Sequence, residues 1–127
     1  MSETIPVATD DHHQQPVPSV WRPTFHAIVE AIREGDFQLA TGIDFVRPVS
    51  DKMAAMIASN VSAYGARLTL LPDASWRTSV CQWMHGYWDV LVDLFTEEEG
   101  ASDLVLAVRV YDDGGRYSFE IQGVYVP

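Results

Sequence analysis

Hydrophobic positions along the chain change their period twice. From Pro23 onward Phe25, Ile28, Val29 and Ile32 recur at helical spacing, with proline suited to a first helical turn and Gly35 able to end the helix in the left-handed conformation. This predicts a first helix over residues 23–34. Ser50 then offers an N-cap, Asp51 favours the positive end of a helix dipole, and Met53, Met56, Ile57, Val61 and Tyr64 form an apolar stripe before Gly65. The second helix is therefore placed at 51–64. Between the two, Phe37, Leu39, Ile43 and Phe45 are broken up by Gly42 and closed by Pro48, which predicts a loop with at most a short strand.

After Gly65 the period becomes two. Leu68 and Leu70 alternate with Arg67 and Thr69 before the Pro72-Asp73 turn, and four further candidate strands follow at about 76–84, 87–95, 104–111 and 116–126. Short connections at Gly86, around Gly100 and at Asp112-Asp113-Gly114-Gly115 imply antiparallel neighbours. A two-residue Asp113-Gly114 turn would set Val110 opposite Tyr117 and Val108 opposite Phe119, apolar against apolar. Matching Val90, Val92 and Leu94 to Leu104, Leu106 and Val108 requires an odd-length loop, which a bulge at Gly100 could provide. The expected fold is α+β, with two N-terminal helices packed on a curved antiparallel meander of about five strands.

Residues 1–20 combine Pro6, Pro16 and Pro18 with Thr, Gln, Asp and His, a composition poor in surface to bury, and a mobile tail is expected there. The single domain is then 21–127. Its fourteen aromatics, four of them Trp, in a chain that is 47% hydrophobic supply a core that needs no metal or disulfide. A lone cysteine, Cys81, and the lack of a signal-peptide pattern or a bilayer-length apolar run point to a soluble protein of a reducing cytoplasm.

Eighteen acidic against eight basic residues give a formal charge of −10. Nucleic-acid binding needs a basic surface to displace counterions, so this balance argues against it and equally against anionic membranes. A basic protein is the partner such a field would attract.

Six of the acids, Asp89, Asp93, Glu97, Glu98, Glu99 and Asp103, fall in one stretch without a base. Their spacing does not match a calcium-binding loop, and neither a metal site nor a cofactor motif is predicted. Asp89 and Asp93 could share acid–base work if burial split their pKa values, but a cross-strand ion pair with Arg109 accounts for them without chemistry. Trp76, Trp83, Tyr87 and Trp88, with Met84, gather around Gly86 as strand core or as an aromatic binding surface. Cys81 and His85 stand four residues apart on a strand, roughly 13 Å, too far for a nucleophilic dyad. No catalytic residue is assigned.

The run Asp93-Leu94-Phe95-Thr96-Glu97-Glu98-Glu99-Gly100-Ala101-Ser102-Asp103-Leu104-Val105-Leu106, with Trp76, Trp83, Trp88 and the stretch Val46–Leu71, resembles a family of small bacterial proteins of unknown function over residues 24–127. The resemblance implies domain limits and bacterial origin, and transfers no catalytic residue. Small acidic bacterial domains of this kind also resemble, as a class, the immunity partners of secreted toxins. The expected function is thus a non-enzymatic acidic binding protein of immunity type, which docks a basic toxin through Asp93, Glu97, Glu98, Glu99, Asp103, Trp83, Tyr87 and Trp88. The alternative is a cone resembling the nuclear-transport-factor-2-like superfamily, with Asp89 or Asp93 turned into a pocket as acid or base. A homodimer on the sheet face or an edge strand is the third.

Overall fold

In the computed structural model, which describes residues 4–40 and 42–127, the chain forms an α+β unit with two α-helices and a five-stranded antiparallel sheet. Helix α1 spans Arg22–Arg33 and α2 spans Asp51–Tyr64. The strands are β1 Gln15–Pro16, β2 Val80–Trp83, β3 Trp88–Thr96, β4 Gly100–Asp112 and β5 Tyr117–Tyr125, and each pairs with the next in chain order.

Both helices end as their sequences dictate. The Ser50 hydroxyl accepts a hydrogen bond from the Met53 amide at 3.1 Å, and Gly65 closes α2 at φ 80°. Gly35 follows α1 at φ 87°. On α2 the stripe that reaches the core is narrower than expected. Ala54 and Ile57 are buried, whereas Met56 is 50% exposed, because it lies about 100° around the helix from Ile57.

The two helices cover one face of the sheet. Phe25 and Trp21 meet Phe119 edge-on at 5.5 and 6.5 Å, Trp21 also meets Trp88 at 5.2 Å, and Ile57 joins the same cluster. Trp88, Val90, Val92, Leu94, Leu104, Leu106, Val108 and Val110 all point into it, in the alternation expected of strands buried on one face. Asp89, Leu91, Asp93, Val105, Ala107, Arg109 and Tyr111 take the opposite, outer face.

The β3–β4 register agrees with the apolar matching, Val90 opposite Val108 and Val92 opposite Leu106, and the irregularity lies between Asp93 and Phe95. The β4–β5 register differs from expectation. Val110 faces Phe119 rather than Tyr117, and Val108 faces Ile121. The turn uses four residues, closed by the Asp113 amide donating to the Arg116 carbonyl at 2.8 Å. A shift by two leaves every side chain on its face, so hydrophobic pattern alone could not tell the two registers apart. A bulge opposite Ala107 and Val108 then lets Ile121 and Val124, three residues apart, both point into the core.

The fifth strand also differs. Leu68 makes only an isolated bridge with Thr96, and the strand expected from about residue 76 begins only at Val80, because Asp73–Arg77 form a 3-10 helix after Pro72. The fifth place is taken by Gln15–Pro16, paired with Cys81 and Val80. Where a mobile tail is expected, the structure lays residues 4–20 against the sheet, residues 1–3 of that stretch lying outside the described residues. Val17 is fully buried, Ile5 and Ser19 exchange two hydrogen bonds, and the Gln82 amide donates to the Asp11 carbonyl. Isolated apolar residues such as Val7 and Val17 carry no period, so sequence pattern cannot signal their burial.

Candidate functional site

The eight residues expected to form one docking surface are distributed over two ends and two faces of the sheet. Glu97, Glu98 and Glu99 make the β3–β4 turn and are exposed. Trp83 and Tyr87 flank the β2–β3 turn at the other end of β3, roughly 26 Å away along an extended strand.

At the acidic end, the exposed Arg67 is the counter-charge. Its Nε lies 3.2 Å from Glu97 and 3.8 Å from Glu98, and its backbone amide donates to Glu98 at 3.0 Å. Residues 67–69 are brought there by backbone bonds to the end of β3, the Glu97 amide donating to the Arg67 carbonyl at 2.9 Å and the Thr69 amide to the Phe95 carbonyl at 2.9 Å. Glu99 accepts from the Thr96 hydroxyl at 3.3 Å. Tyr64, from the last turn of α2, accepts from the exposed Asp103 amide at 3.1 Å. That bond is the largest single influence and lowers the tyrosine pKa, but the Glu99 carboxylate, desolvation and the Asp103 charge together outweigh it, and the net direction is upward. Glu97, Glu98, Glu99 and Asp103 therefore form one acidic end with Tyr64 at its root.

Asp93 does not belong to it. It stands on the outer face, and its backbone is what the fold uses: its amide donates to the Ser79 hydroxyl at 2.9 Å and its carbonyl accepts from the Ser75 hydroxyl at 2.6 Å. Both serines are buried, and their pairing ties the 3-10 helix to β3 where β2 begins.

The aromatic cluster also divides. Trp88 is 3% exposed and packs with Trp21 and Tyr117, so it is a core residue and presents nothing to a partner. Trp83 packs against it with ring centroids 4.5 Å apart and the planes tilted by 49°, and is partly exposed. Trp76 is buried beside Phe25. Tyr87 takes the outer face, 5.8 Å from Tyr111.

On that face Arg109 lies over the Tyr87 ring at 4.5 Å, and Arg47 over Tyr111 at 4.1 Å. Arg109 stands opposite Asp89 with Nε to Oδ1 at 3.6 Å, the ion pair expected from the sequence. Asp89 and Asp93 both point away from the helices, not into the space between helices and sheet where a cone-shaped active site would hold them. Glu120 accepts from Arg47 at 3.1 Å, Gln122 at 2.8 Å and Tyr111 at 3.3 Å. Burial pushes its pKa up, but these three donors win and hold it below the ordinary glutamate range. The Arg–Tyr pairs were not singled out from sequence. Arginine and tyrosine alternating with apolar residues on β4 (Arg109, Tyr111) would have been the signal.

Cys81 is buried against the Pro16 carbonyl at 3.6 Å, and desolvation raises its thiol pKa to about 11, which keeps it protonated and unreactive. Among the described residues no group of three or more His, Cys, Asp or Glu side chains could hold a metal ion, and no helix is long and apolar enough to cross a membrane.

A family model matches residues 29–127, the span from within α1 through β5 and the acidic turn. The chain belongs to the DUF7668 family, a domain of unknown function. The match to DUF7668 takes in the whole sheet except β1 and opens at Val29, inside α1. No curated protein and no solved structure matches the chain.

Proposed function

We propose that this chain is a non-enzymatic binding protein of immunity type, which acts in a bacterial cytoplasm by docking and neutralising a basic toxin. The observation that carries this is the acidic end of the β3–β4 hairpin. Glu97, Glu98, Glu99 and Asp103 are exposed together there, with Arg67 as the counter-charge, on a chain of net charge −10. A field of that sign accelerates encounter with a cationic protein, and an exposed hairpin tip can enter a basic cleft. Trp83, partly exposed at the far end of β3, would contribute only to a partner that spans the sheet. Asp89, paired with Arg109 on the outer face, serves this reading better than an acid–base one.

The test is capture from host lysate and secreted fraction on the immobilised chain, identification of what is captured, and titration of the purified partner. A basic protein whose affinity falls at least tenfold on changing Glu97, Glu98 and Glu99 together to Gln, and whose toxicity is relieved by co-expression of this chain, is the expected result. Capture of nothing, or a partner indifferent to the triple change, would overturn it.

A further inference from the structure

Beside the acidic turn, where α1 ends, the chain encloses a hollow. Gly35 turns the backbone out of α1 at φ 87°, and the Leu68–Thr96 bridge holds residues 66–68 at the end of β3. The space left between these segments is about 270 Å³. Its floor is Ile32 and Leu68, 2% and 5% exposed, and its walls are the half-buried Phe37, Val61 and Ala66. Exposed Arg33, Arg67 and Glu97 make the rim, and Glu97 belongs equally to the acidic turn. The volume falls just under the range of about 300–1,000 Å³ usual for small-molecule sites, and suits a single inserted side chain.

Floor and walls present hydrocarbon side chains, so burial selects an apolar guest. The rim decides which one. Two guanidinium groups there repel a cationic side chain, whereas Glu97 and the net charge of −10 disfavour an anionic one. Arg67 is held at its edge, Nε 3.2 Å from Glu97, which leaves the flat face of its guanidinium free to stack. Among the described residues no hydrogen bond or ion pair engages the Arg33 side chain. A cation is drawn to the face of an aromatic ring and not to an aliphatic chain of similar size. Arginines at the mouth therefore make an apolar hollow prefer an aromatic guest.

We propose that this hollow receives an aromatic side chain of the basic protein partner, anchoring a segment whose neighbouring lysines or arginines meet Glu97, Glu98 and Glu99. The inference rests on the binding function proposed above and adds the buried contact that charge alone lacks, since interface energy concentrates in a few aromatic anchors set in pockets within a polar rim. The site is read with the tripeptide N-acetyl-lysyl-phenylalanyl-lysine amide titrated into the ¹⁵N-labelled chain, against its leucine and alanine analogues. Saturable shifts confined to the amides of residues 32–37, 61, 66–68 and 97–99 are expected, with the alanine peptide about tenfold weaker and the leucine peptide between the two. A66W, which fills the hollow, should bring the phenylalanine and alanine peptides level. R33Q should narrow the gap between phenylalanine and leucine to within about twofold. Should A66W not fold, R33Q and the alanine comparison decide alone. Equal binding of the alanine peptide, an undiminished phenylalanine preference in R33Q, shifts scattered over all acidic residues, or no saturation would each overturn the proposal. The triple Gln variant of the β3–β4 turn should weaken all three peptides and preserve their ratio. A phenylalanine peptide no better than alanine, beside a charge-dependent captured partner, thus sinks the hollow and spares the binding function, whereas a clear aromatic preference with no captured partner does the reverse.

Discussion

The indole N–H of Trp88 donates to the backbone carbonyl of Ala8 at 2.8 Å, joining the start of β3 to a segment 80 residues earlier in the chain. Trp88 is buried, so without Ala8 its donor would lack a partner. Deleting residues 1–14 should therefore destabilise the protein by about 1–3 kcal/mol, the cost of an orphaned buried donor. Thermal unfolding should show a loss of several degrees. A truncated chain melting with the parent would mean that the segment contributes nothing to stability.

Ser79 holds the Asp93 amide, and S79A leaves that donor unpaired inside the fold. The expected loss is about 1–3 kcal/mol, read as a lower urea midpoint at unchanged slope. D93N, which leaves the backbone of residue 93 in place, should shift the midpoint far less.

Replacing Gly123 by alanine meets two obstacles at once, a φ of 154° and the Tyr125 ring 3.3 Å from the new methyl group. Strain of this kind costs about 1–3 kcal/mol. Equilibrium unfolding should show that loss, and the Tyr125 ring resonances should move. An unperturbed ring would show that the bulge does not fix its position.

Glu120 titrates below its ordinary range because Gln122, Arg47 and Tyr111 donate to it against the pull of burial. A depressed carboxyl pKa stabilises the fold above the unfolded-state value, about 4.3, and that contribution is lost as pH falls through the lower folded value. The melting temperature of the parent should exceed that of E120Q at neutral pH. The gap should close below about pH 4. A gap constant from pH 7 to pH 2.5 would contradict the assignment.

Both helices, the antiparallel order and the β3–β4 register are legible in the sequence because each rests on period and local capping: Ser50 and Gly65 frame α2, and Val90 to Val108 follows from alternation. What fails to show is whatever depends on a distant partner. Pro16 has no strand period, yet it completes the sheet against Val80. The four-residue turn at Asp113–Arg116 and the two-residue alternative place the same residues inside. The candidate site divides for a related reason. Neighbours in sequence on a strand, such as Tyr87 and Trp88, face opposite sides, and a nine-residue strand carries Trp83 and Glu97 to its opposite ends.

The family match opens at Val29, but the packing does not begin there. Trp21, Phe25 and Ile28, each with no exposed surface, lie before that point, as does the strand beside Val80. A fragment cut to the matched span would keep every carboxylate of the acidic turn and lose the ring set that seats Trp88 and Phe119. It would present the right charges on a sheet with an open socket behind it. For this chain the border drawn by kinship and the border drawn by close packing are different lines, and a fragment meant to fold must follow the second.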